Sequence, residues 1–102
     1  MNTTLTAVLG ALAVALAGGM SEDNAEDFVQ AFVLHLAAKR LGMHAAADRA
    51  IKICNMLQRR PAADVERALL PTQKVSAGLA AEAENRLLRE TAAILEEIEE
   101  IA

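Results

Sequence analysis

The chain has little with which to build a β-sheet. It contains no Trp or Tyr and only two aromatic residues, Phe28 and Phe32. Aromatic and β-branched residues favour strands, and both are scarce beside alanine, the best helix former, which comes in runs such as Ala45-Ala46-Ala47. One cysteine, Cys54, excludes an internal disulfide and argues against a zinc site. Two serines, Ser21 and Ser76, neither in a nucleophile motif, leave nucleophilic catalysis without support. Gly18-Gly19 lacks the lysine and spacing of a phosphate-binding loop. Charge is missing altogether from Met1 to Ser21.

What is present is apolar and helical. Hydrophobic residues make up 54% of the 102 positions, enough for one modest core and a single domain over 1–102. Because alanine buries little area per residue, that core is thin, and oligomerisation is a natural source of further burial. The expected class is all-α: a compact bundle of four to five helices, the longest at the C-terminus.

Thr3 or Thr4 can cap a first helix and Gly18-Gly19 can end it. Within it Leu5, Leu9, Leu12 and Leu16 form one stripe, and Ala7, Ala11 and Ala15 a small-residue ridge. A helix apolar all round needs partners on several sides, so it is expected at the centre of the fold or buried in an oligomer. The run from Leu5 to Ala17 spans 13 residues, short for a membrane span. Met1 to Thr4 carries no basic residue of the kind that precedes a secretory signal, although Ala15-Leu16-Ala17 has the form of a cleavage site. A buried helix in a cytoplasmic protein is the preferred reading, and a membrane-associated or exported protein an alternative.

Ser21 caps a second helix, with Glu22, Asp23, Glu26 and Asp27 where the helix dipole favours them. Ala25, Phe28, Val29, Phe32 and Leu36 mark its core face, and Lys39, Arg40 and Gly42 its end. A third helix runs from about Met43 to Arg60, with Ala47, Ala50, Cys54 and Leu57 inward, and Pro61 bounds it. Pro61 can open a short helix through Leu70, ended by Pro71. The last helix is expected from Gln73 to Ile101, with Gly78 a weak point. Its Leu87, Thr91, Ile94, Ile98 and Ile101 approach a coiled-coil seam.

Charge is sorted into blocks. The acids after Ser21 give −4, residues 39–60 give +5, and residues 61–102 give −5. The first block is explained by the helix start. The second, Lys39, Arg40, Arg49, Lys52, Arg59 and Arg60, is a candidate site for an acidic partner. Glu96, Glu97, Glu99 and Glu100 oppose the dipole at a helix C-terminus and are a candidate site for a basic partner, including residues 39–60 of another subunit. Self-association is expected through Leu5, Leu9, Leu12 and Leu16 together with Ile94, Ile98 and Ile101.

The segment Leu36 to Met43, with Ala38 four residues before Gly42 and Ile51 nine after it, resembles the helix-turn-helix of bacterial DNA-binding proteins over about 20 residues. The resemblance implies phosphate contacts from Arg49, Lys52 and Arg59 and a recognition helix beginning at His44. Asp48 departs from it, standing where an apolar core residue is usual, and the alanines of the reading face offer bases no hydrogen bonds. Leu41-Gly42, Ala50 and Pro61 hint at a tetratricopeptide unit, but their spacing fits poorly and one unit cannot stack. His35, beside Phe28 and Phe32, is expected to pack, and His44 to cap the third helix or face solvent. Neither makes the Glu-x-x-His pattern of helical di-metal sites.

No catalytic, cofactor-binding or metal site is expected. The function expected is non-enzymatic protein–protein interaction by an adaptor, assembly subunit or small inhibitor that self-associates. Helix-turn-helix DNA binding through residues 36–60 is the alternative.

Overall fold

The computed structural model describes residues 3–59 and 71–99. These form five α-helices and no strand: α1 (Thr3–Ala17), α2 (Ala25–Arg40), α3 (His44–Arg59), α4 (Pro71–Ser76) and α5 (Ala81–Glu99). A single 3-10 turn, Glu22–Asn24, leads into α2, and the longest helix is C-terminal.

Glycine-centred turns end α1 and α2. At Gly42 (φ 71°) the Met43 amide donates to the Ala38 carbonyl at 2.8 Å and the Gly42 amide to Lys39 at 3.1 Å. This is the Schellman arrangement, in which a left-handed residue lets the last carbonyls find donors. Gly19 (φ 103°) repeats it, with Met20 bonded to Ala15 and Gly19 to Leu16, both at 3.0 Å. Met20 and Ala15 are both buried, the apolar contact that accompanies the motif. Ser21 accepts from the Asp23 amide at 3.3 Å and so caps the turn that opens α2.

The centre of the fold is α2, which packs against each of the other four helices. The expected core stripe underestimates it: Phe28 is buried, but so are Ala31, Val33, Leu34, Ala37 and Ala38. Such wide burial leaves little room for polar groups. α3 lies antiparallel to it, and the cross-links run in opposite senses along the pair. Asn24 donates its side-chain amide to the Leu57 carbonyl at 3.0 Å, the Cys54 thiol faces the Phe28 carbonyl at 4.0 Å, and His35 Nδ1–H donates to the Ala47 carbonyl at 3.0 Å. Ala47, Ala50, Cys54 and Leu57 point inward as expected.

Two expectations are corrected. α1 is peripheral: only Val8 and Ala15 are buried, with Ala11 and Leu12 partly so. High hydropathy does not secure a central place; its alanines, glycine and threonines fill less space than the Phe and Leu side chains of α2. Pro71 opens α4, since a proline at the first position forfeits no intrahelical donor; the helix expected from Pro61 through Leu70, with its end at Pro71, falls outside the described residues. The last helix is broken at Gly78 (φ 83°) into α4 and α5. Beyond the break, Leu87, Thr91 and Ile94 are buried and Ile98 packs against the same core, so the heptad-like seam serves the protomer itself. The Cα radius of gyration, 13.2 Å, is close to the ~12.8 Å usual for this chain length.

Candidate interaction surfaces

The central basic block does not form one patch. Arg40, at the C-terminal end of α2, donates to Glu90 at 3.2 Å and to the Thr4 hydroxyl at 3.0 Å, with Glu97 at 3.5 Å. It thereby links α1, α2 and α5. Arg49 donates through Nε and Nη2 to the single carbonyl of Val75, at 3.2 and 3.0 Å. That carbonyl belongs to the last turn of α4, where intrahelical donors run out. Both arginines therefore make contacts within the fold, although Arg40 remains exposed. Lys39, Lys52 and Arg59 remain exposed, and Arg60 lies outside the described residues.

The acidic end is divided in the same way. Glu97 faces Arg40 of its own protomer, which answers locally the charge expected to seek another subunit. Glu96 and Glu99 are exposed; Glu100 is outside the described residues. Ile94 is fully buried, which removes it from an exposed self-contact, Ile98 is half-buried against the core, and Ile101 is not among the described residues.

The chemistry-bearing side chains of the interior are engaged structurally. Burial pushes the Cys54 thiol up to about 12, far from the thiolate a reactive cysteine needs. His35 is held by Ala47 and sits 6.0 Å from the Phe32 ring, centroid to centroid. His44 opens α3 and is exposed. Among the described residues no group of three His, Cys, Asp or Glu side chains is placed to hold a metal ion.

The largest departure from an ordinary surface is α1. Its inner stripe, Val8, Ala11, Leu12 and Ala15, packs on the core at i, i+3, i+4, i+7 spacing. The other side carries Val14, 74% exposed, Leu9, 54% exposed, and Leu16, 37% exposed. Gly10, Ala13 and Ala17 lie among them and are also exposed. A Cβ added at Gly10 would meet nothing within 4 Å, so that side is open. Of the expected self-contact residues, Leu9 and Leu16 are on this face, while Leu5 and Leu12 are half-buried. Val14 and Gly10 were not singled out by the leucine spacing, which followed large side chains only. No helix among the described residues is long and apolar enough to cross a membrane. No family model, curated protein or solved structure matches the chain.

Proposed function

We propose that this protein is a non-enzymatic interaction module that associates with a second copy of itself through the outer face of α1. The observation that carries the proposal is an exposed apolar helix face, flanked by Leu9 and Val14, on a segment with no charged residue. Monomeric proteins rarely leave large contiguous apolar patches open, and such patches mark interaction sites. An uncharged face offers no ion pair to a partner, so it is best matched by another uncharged face. The described surface of this chain supplies one such face, α1 itself, since α3 and α5 expose charged side chains such as Lys52, Arg59, Glu96 and Glu99. A two-fold pairing of α1 with α1 follows the commonest oligomer symmetry.

Two further observations support a binding role over a catalytic one. The one thiol is buried with its ionisation suppressed, and the His35 ring is tied to a backbone carbonyl.

One 15-residue helix is about 22 Å long, and a single helix face falls short of the ~800 Å² per partner of a stable interface. The expected association is therefore weak, with dissociation in the micromolar range. Light scattering across that range should show mass rising from monomer to dimer. L9K/V14K should stay monomeric with unchanged helix content, because both side chains already face solvent. A wild-type chain that remains strictly monomeric throughout would overturn the proposal.

A further inference from the structure

We infer that the groove between α2 and α5 is a second binding site, shaped for a basic amphipathic helix of a partner protein. The groove has a volume of about 350 Å³ and is lined by Glu26, Asp27, Val29, Gln30, Val33, Thr91 and Leu95, a size within the ~300–1,000 Å³ of ligand clefts. Glu26, Val29, Gln30 and Val33 follow i, i+3, i+4, i+7 spacing, one stripe of α2, and Thr91 and Leu95 are one turn apart on α5. Val33 and Thr91 are buried and form the floor, while Val29 is half-buried and Leu95 is 38% exposed. The Thr91 hydroxyl already donates to the Leu87 carbonyl at 2.8 Å, so the floor makes little polar demand on an occupant.

The charged residues of the lining, Glu26 and Asp27, have one sign. Both stand at the edge, and exposed Glu22 and Asp23 precede them on the 3-10 turn. On α5 the lining is uncharged, Thr91 and Leu95. No Lys or Arg is among the lining residues. The helix dipole accounts for acids at the start of α2, but not for an apolar slot left open beside them. Nucleic acid and anionic membrane are repelled by such a rim. A small neutral ligand would leave the carboxylates unused. An occupant that satisfies both features presents aliphatic side chains to Val29, Val33 and Leu95 and Lys or Arg to Glu26 and Asp27. An amphipathic helix does this with anchors three or four residues apart. The stripe from Glu26 to Val33 is about 10 Å long, room for two such anchors.

The test uses the full chain and a synthetic helical peptide bearing leucines at i, i+4 and i+7 with lysines on both flanks. A second peptide has glutamates in place of the lysines. The lysine peptide should bind and shift the methyl resonances of Val29, Val33 and Leu95, leaving those of Leu9 and Val14 in place. The glutamate peptide should bind at least tenfold more weakly. E26K/D27K and L95K should each weaken the lysine peptide at least tenfold without altering the far-UV spectrum. The inference is overturned by shifts confined to α1, by equal binding of the two peptides, or by no binding. It is also overturned if E26K/D27K abolishes self-association seen by light scattering, because the groove would then hold a second copy, with a basic stripe such as Lys52 and Arg59, rather than a foreign helix.

Discussion

Asn24 is the most consequential polar residue in the interior, and nothing in its sequence neighbourhood marks it. It is 2% exposed, and its side-chain amide donates to a carbonyl in the last turn of α3, 33 positions away. Replacing it with alanine leaves the Leu57 carbonyl buried without that donor, and such a loss costs about 1–3 kcal/mol. N24A should lower the urea midpoint accordingly while leaving the denaturant slope unchanged. Cys54, by contrast, was legible: Ile51, Ile53 and Leu57 around it already indicated an inert, buried thiol. Its folded ionisation lies near pH 12, whereas an unfolded thiol ionises near pH 8.5. Between those values the unfolded chain has released the proton and the folded chain has kept it. Stability therefore falls as pH rises, by up to about 1.4 kcal/mol per pH unit. Urea midpoints measured from pH 8 to 11 should decline less steeply for C54A than for the wild type; identical slopes would contradict this assignment.

At the scale of the element, helix ends were more legible than helix faces. Ser21, Gly19 and Gly42 act through backbone geometry within a few residues, so their roles can be inferred locally. Gly42 provides a clean test because an added Cβ would touch nothing within 4 Å. The cost of G42A is then the left-handed conformation alone, about 1–2 kcal/mol. Calorimetry should show a corresponding fall in melting temperature, with G42N losing less, because asparagine tolerates this region better. Faces were harder to read. Leucine spacing on α1 identified Leu9 and Leu16, which are exposed, and the inner stripe instead begins at Val8. On a helix without charged residues there is little contrast to say which side turns inward. α5 is the opposite case: its apolar seam is bordered by Glu90, Glu96 and Glu97, and the buried face falls where the periodicity put it.

For the whole molecule, the decisive feature is how the charge blocks are spent. Arg40 and Arg49 were read as partner-facing because sequence distance hides Glu90, Glu97 and Val75 from them. The Arg40 cluster is substantially exposed, with side-chain accessibilities of 39% for Arg40 and 29% and 44% for its two partners. Pairs of this kind contribute about 0–1 kcal/mol and are screened by salt. R40A should therefore change global stability by about 1 kcal/mol or less. Its clearer effect should be on α1, which Arg40 reaches through Thr4. Amide exchange in the first turns of α1 should accelerate relative to α3, and an unchanged exchange pattern would show that packing alone seats the helix.

The all-α class, the glycine turns that end α1 and α2, the inward face of α3 and the buried thiol were determined by the sequence itself. They rest on propensity, capping and the contrast between polar and apolar positions, which act over a few residues. Only the tertiary structure decided that α2, not α1, is central, that two arginines of the basic block make contacts within the fold, and that a groove lies between α2 and α5. Those outcomes depend on which side chains fill the most space and on contacts 26 to 57 positions apart. A one-dimensional pattern carries no distance of that kind.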